Sequence, residues 1–172
     1  MLRNGTKGIG TGFSTDIMCY NPLQIIKKLK LMLKNKDSDI EIEPYYRGFK
    51  GTIELIAPKK YLIKGTYKTI SDNKIEIIEL PLGTWTQDYK EFLETLIDNK
   101  SKDYKSIVKD YYDLSTESDV NFVVEFYPGL LKKLICNVKD ISGNYTDKVT
   151  ELEKLLKLCT THSTNNMHLF DH

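Results

Sequence analysis

Four glycines fall within nine positions near the start of the chain: Gly5, Gly8, Gly10 and Gly12 in Asn4-Gly5-Thr6-Lys7-Gly8-Ile9-Gly10-Thr11-Gly12. Glycine has no Cβ. It weakens the interior of helices and strands, and it lets another surface come close to the main chain. The run is therefore expected neither as a packed strand nor as a packed helix, but as a loop. It closes through Phe13-Ser14-Thr15-Asp16 on a single apolar residue, Ile17, and the helix predicted next is rich in lysine. Bare N–H groups, one apolar point and a basic helix together suit a phosphate backbone.

Charge supports one polyanion-facing end. The whole chain carries +1, but residues 1–36 sum to +6 and the remainder to −5. A basic end on a slightly acidic body fits one face meeting a polyanion, although charge alone favours a solvated lysine helix. With 172 residues, 40% hydrophobic and 28% charged, the chain can bury one sizeable core, and its composition excludes the disordered class. The apolar runs are too short for a membrane span, and the N-terminus lacks the apolar stretch of a signal peptide, so no membrane partner is expected. Cys19, Cys136 and Cys159 are odd in number and widely spaced, which fits reduced thiols and no zinc site.

Taken in order, Asn21 is placed to cap a helix with Pro22 at its first position. Leu23, Ile25, Ile26, Leu29, Met32 and Leu33 give that helix an apolar stripe, with Lys27, Lys28, Lys30 and Lys34 on its other faces. Residues 51–56, 61–70 and 74–80 alternate as three strands separated by Pro58-Lys59-Lys60 and Ser71-Asp72-Asn73, a β-meander with one buried face. Thr84 or Thr86 caps a helix over 87–98 whose apolar face is Tyr89, Phe92, Leu93, Leu96 and Ile97, with Trp85 as a core anchor at its start. Residues 100–113, polar and aromatic, show no clear period. Residues 120–127 read as a strand stopped by Pro128-Gly129, residues 130–138 as a short helix, and 146–159 as an amphipathic helix. Residues 167–170 form a last strand or a connection. Strands grouped together with helices flanking them make the fold class α+β.

Nucleotide and hydrolase chemistry find no support. The glycine run lacks the Gly-x-x-x-x-Gly-Lys-Ser/Thr spacing, and no apolar strand precedes it. His162, His168 and His172 fit no common metal spacing and read as exposed residues near the end of the chain. Glu41/Glu43 and Glu151/Glu153 fall on faces expected to be solvated. No catalytic residue and no metal ligand is assigned.

Several motifs, in order, resemble one family. Gly8-Ile9-Gly10-Thr11-Gly12-Phe13-Ser14 with Ile17 and Tyr20-Asn21-Pro22 is similar to the eukaryotic and large-virus type IIA DNA topoisomerases. So are Gly48-Phe49-Lys50-Gly51-Thr52-Ile53-Glu54 and Glu79-Leu80-Pro81-Leu82-Gly83-Thr84-Trp85-Thr86-Gln87-Asp88-Tyr89-Lys90. Lys109-Asp110-Tyr111, residues 120–124 and residues 163–171 follow in family order. Two positions depart from the family pattern: Met18 stands where the family has proline after the isoleucine, and Gly83 where it has arginine.

The resemblance implies a tower or shoulder segment of the DNA breakage-reunion core, lying between the winged-helix domain with the active-site tyrosine and the coiled coil to the exit gate. On that reading residues 1–20 form a DNA-contacting loop, 21–162 the α+β tower and 163–172 the start of the connection. The chain is then a piece of an enzyme that breaks one duplex, passes a second through it and reseals the break. The full enzyme is a homodimer using ATP and Mg2+, with no cofactor on this segment. It acts in the nucleus, or in a viral factory, cytoplasm or virion if the gene is viral. Ile17 is implied as the wedge that enters a base step and kinks the DNA; the plain alternative is a buried core isoleucine. Lys7, Ser14, Thr15, Lys27 and Lys28, with the backbone N–H groups of Gly10 and Gly12, are the phosphate contacts, and Arg47 and Lys50 are weaker candidates. A stand-alone DNA-binding module and a structural interaction domain remain the alternatives.

Overall fold

The computed structural model describes residues 2–11, 14–34, 41–98, 107–136 and 149–167. They form two compact units. One comprises Met1–Phe49, Ile53–Tyr61 and His162–His172, and the other Lys50–Thr52 and Leu62–Thr161. The expected loop over 142–144 and the start of the 146–159 helix lie outside the described residues.

The first unit begins with an antiparallel hairpin of β1 (Thr6–Ile9) and β2 (Ser14–Ile17). Part of the expected loop is thus strand: Gly8 lies in β1, whereas Gly5 and Gly10 lie outside it. Gly8 is accommodated because the hairpin stands alone as two strands, with most of its residues exposed. Helix α1 (Pro22–Met32) follows, with the Asn21 side chain accepting from the Leu23 N–H at 2.9 Å. Cap and start are as expected from the sequence. No residue of α1 is buried, so the apolar stripe read from the sequence is not sealed in the core.

The expected meander is divided between two sheets. β3 (Thr52–Ala57) and β4 (Lys60–Lys64) join β9 (Cys159–Ser163) in the order β3-β4-β9, and both units draw residues from these strands. β5 (Thr66–Ser71) and β6 (Lys74–Glu79) belong to a four-stranded sheet, β5-β6-β8-β7, with β7 at Val108–Asp113 and β8 at Phe122–Phe126. The break falls at Gly65. Its N–H donates to the Leu158 carbonyl at 2.9 Å, and a Cβ there would lie 2.2 Å from the Glu79 carbonyl oxygen. A side chain at 65 would push those backbones apart, and the strand predicted over 61–70 is divided at this residue into β4 and β5.

In the second unit one face of the four-stranded sheet carries Ile75, Ile77, Phe122, Val124 and Phe126 into a core with Tyr89 and Leu93 of α2 (Thr86–Asp98) and Leu131 of α3 (Leu130–Cys136). The alternation of β8, buried at every second residue, is that of a strand packed on one side. Tyr89 donates its buried hydroxyl to the Leu156 carbonyl at 2.8 Å, and burial pushes its phenol far above the usual tyrosine range. Tyr89 thereby holds the anchoring place expected for Trp85, which is 75% exposed.

The last predicted helix is shorter than its stripe suggested. α4 (Glu151–Leu155) is set by a capping box. Thr150 accepts from the Glu153 N–H, and the Glu153 carboxylate accepts from the Thr150 N–H. Lys157 at φ 51° turns the chain out of the helix, and Cys159 lies in β9. Glu153, expected on a solvated face, is instead buried and paired with Lys64 at 3.1 Å. A 3-10 turn, Thr164–Asn166, follows β9. β7 occupies part of the stretch without period; it is an edge strand with a register shift, and charged and aromatic residues hide its alternation.

Candidate nucleic-acid interface

Hairpin register sorts the candidate contacts by face. Lys7 pairs with Asp16 and Ile9 with Ser14, while Thr6 pairs with Ile17 and Gly8 with Thr15. Neighbouring residues of a strand point to opposite sides, so Lys7, Ile9, Ser14 and Asp16 share one face and Thr6, Gly8, Thr15 and Ile17 the other. Lys7, Ser14 and Gly10 are exposed, and Thr15 is half-buried. Gly12 lies outside the described residues. The structure brings Lys7 and Ser14 together and separates them from Thr15 and Ile17.

Ile17 ends β2 with only 3% of its surface exposed, and Met18 after it is buried as well. This is the alternative placement that the sequence left open. Gly5 holds the spot: at φ 63° it brings its Cα so close to the Ile17 carbonyl that a Cβ would stand 2.7 Å from that oxygen. Below the hairpin, the Tyr20 N–H donates to the Leu2 carbonyl and the Tyr45 N–H to the Cys19 carbonyl, both at 2.8 Å. Burial raises the Cys19 thiol and the Tyr46 phenol from their ordinary values.

On α1, Lys27 is exposed but Lys28 is half-buried on the packed side of the helix, with Gln24, Ile25 and Leu31. Lys30, three residues after Lys27, and Lys34, four residues after Lys30, are exposed and extend its face, although the sequence reading did not name them as phosphate contacts. Ile9, 81% exposed beside Lys7 and Ser14, was missed as well. Only the strand register, invisible in a glycine-rich sequence, places it there. Of the weaker candidates, Lys50 is ion-paired to Asp119 at 2.7 Å and donates its backbone N–H to Glu79, while Arg47 is exposed. Gly83 has φ 85°, in a turn where the Thr84 N–H reaches the Pro81 carbonyl. The arginine of the resembled family would be strained in this backbone.

His162 is half-buried in β9 with its Nε2 enclosed and unpartnered, not exposed as expected; His168 and His172 lie outside the described residues. Among the described residues, no group of three or more His, Cys, Asp or Glu side chains is placed to hold a metal, and no helix is long and apolar enough to cross a membrane.

The comparisons with known proteins agree along the chain. The family model for the A-type subunit of DNA gyrase/topoisomerase IV matches residues 1–172. DNA topoisomerase 2 of Drosophila melanogaster is 37% identical over 171 residues, covering 99% of this chain and 11% of the relative. DNA topoisomerase 2 of Plasmodium falciparum is 38% identical over 171 residues, again 99% of this chain and 11% of the relative. The solved DNA-binding, cleavage and re-ligation domain of Plasmodium falciparum topoisomerase II superposes with a TM-score of 0.82 at 38% identity, over 99% of this chain and 21% of that one. The chain thus spans about a tenth of the length of these two relatives.

Proposed function

The chain belongs to the DNA gyrase/topoisomerase IV family, and we propose that it is the part of a type IIA topoisomerase that grips and bends the duplex to be cut. It also serves as the shoulder between the cleavage site and the exit gate. The observation that carries this is the β1–β2 hairpin, which puts Lys7 and Ser14 on one face and is followed by α1 with its exposed lysines. Lys7, Ser14, Thr15, Lys27, Lys28 and the backbone N–H groups of Gly10 and Gly12 hold phosphates. Such contacts set position and a salt-sensitive affinity without reading sequence. Lys28 reaches a phosphate only along the side of α1 that is half covered in the free chain.

Ile17 acts as the wedge. Leaving its buried place costs about 1.5–3 kcal/mol, and entering a base step returns apolar burial of similar size. The few kcal/mol of unstacking are then offset by the protein surface that the bent duplex reaches. Met18 in place of proline leaves the backbone after the wedge freer to make this move.

The assembled enzyme is a homodimer that passes one duplex through another using ATP and magnesium. On the family resemblance, the metal, the nucleotide and the attacking tyrosine belong to other parts of that enzyme. It works in the nucleus, or in a viral factory or virion if the gene is viral. The test is the bend angle of a nicked duplex held by the assembled enzyme, read by fluorescence energy transfer between its ends. Ile17→Ala is expected to straighten the duplex, and an unchanged angle with intact binding removes the wedge.

A further inference from the structure

The last paired residues of the β1–β2 hairpin are Ile9 and Ser14. Ile9 is 81% exposed. It stands between Gly8 and Gly10, neither of which has a side chain to shield it. The register sets Lys7 and Asp16 on the same face, further back along the hairpin. Asp16 is half-buried, whereas Lys7 and Ser14 are exposed. This face therefore presents an apolar knob, a hydroxyl and an ammonium together, with bare backbone on either side of the knob.

A single apolar residue on a surface is ordinary, and isoleucine suits a strand by its β-branch alone. What sets Ile9 apart is its company. An apolar protein surface laid over it would also desolvate Lys7 and Ser14 and leave them without partners. A duplex satisfies all three, with phosphates for the ammonium and the hydroxyl and sugar C–H groups for the isoleucine. We infer that Ile9 is a direct apolar contact to the duplex. It packs on the deoxyribose edge of the minor groove while Lys7 and Ser14 hold the phosphates beside it, an inference that rests on the function proposed above. The bare main chain at Gly8 and Gly10 lets the walls of the groove close on the side chain. Ile17 has to leave a buried place before it can touch a base step, whereas Ile9 is already presented in the free chain. Its contribution comes from apolar surface removed from water, which added salt does not screen. That of Lys7 comes from counterion release and falls as salt rises.

Titration of a fluorescent duplex with the assembled enzyme, at several salt concentrations, tests this. Ile9→Thr keeps the β-branch, and with it the strand, but removes apolar surface. It is expected to weaken binding about tenfold at every salt concentration, leaving the slope of log affinity against log salt unchanged. Ile9→Val is expected to recover most of that loss. An Ile9→Thr affinity equal to that of the native enzyme overturns the inference. A lower melting temperature of the DNA-free Ile9→Thr enzyme, or its failure to assemble, also overturns it, since Ile9 would then pack against protein. Lys7→Gln in the same titrations separates the two claims. A reduced slope for Lys7→Gln beside an unaffected Ile9→Thr defeats the apolar contact alone. Weakened binding by Ile9→Thr beside an unchanged slope for Lys7→Gln defeats the phosphate grip alone.

Discussion

At the scale of single residues, Gly5 controls the interface most directly. Its φ of 63° is one that an L-residue adopts at a cost of about 1–2 kcal/mol. A Cβ there would also press on the Ile17 carbonyl oxygen at 2.7 Å, and that atom belongs to backbone that cannot swing aside. Gly5→Ala is expected to lower the melting temperature by several degrees, to displace Ile17 and to weaken DNA bending. Gly8→Ala meets only the end of the Thr15 side chain, at 3.2 Å, and is the milder control. Thermal melts of the two variants, followed by bend measurements, check the order. Tyr89 and Trp85 make the complementary case. Four residues apart in one motif, the first is sealed in the core by a hydrogen bond and the second stands in solvent. Helical spacing would put both in line with Leu93; they part because Trp85 precedes the first turn of α2.

At the scale of elements, the four-stranded sheet is clamped across its strands by one carboxylate. Glu125 of β8 meets Lys109 of β7 at 2.6 Å and Lys74 of β6 at 3.0 Å. The hydrogen bond from Lys109, followed by that from Lys74, holds its carboxyl below the ordinary 4.5. A carboxyl lowered in the folded state binds its proton more readily when unfolded. Its contribution is therefore complete above pH 4.5 and is lost as the pH falls through the folded-state value. Melting temperatures measured from pH 7 to pH 3 are expected to fall more steeply for the native chain than for Glu125→Gln, with the two curves converging at the acid end. Parallel curves would show that the clamp carries no pH-dependent stability. β7 itself, which this clamp secures, escapes sequence reading because an edge strand tolerates charge on both faces.

At the scale of the whole molecule, charge separates what a nearly neutral total conceals. The first 36 residues carry +6 and the rest −5, so the hairpin and α1 concentrate the attraction for a polyanion. Each phosphate neutralised on duplex DNA contributes about 0.9 to the slope of log affinity against log salt. Lys7→Gln combined with Lys27→Gln is expected to lower that slope by about 1.8 in the assembled enzyme, with little change in preference among duplex sequences. Titration of a fluorescent duplex at several salt concentrations checks it. An unchanged slope would take both lysines off the phosphate backbone.

Local chemistry sufficed for the α+β class, the cap at Asn21, the face of α2, strand β8 and the turn at Gly129, because propensity and periodicity act within a few residues. The ordered motifs also carried family membership, which the whole-chain match bears out. What tertiary structure alone decided depends on approaches between distant parts of the chain. One predicted strand is divided between two sheets at Gly65, where the Glu79 and Leu158 backbones approach too closely for any side chain. Lys7 and Ser14 share a face, with Ile17 on the other, because the hairpin pairs in one register out of several that a glycine-rich sequence permits. The apolar stripe of α1 was legible in the sequence; which way it turned was not. Periodicity tells how a helix is striped, and only the surfaces packed against it determine which stripe is covered.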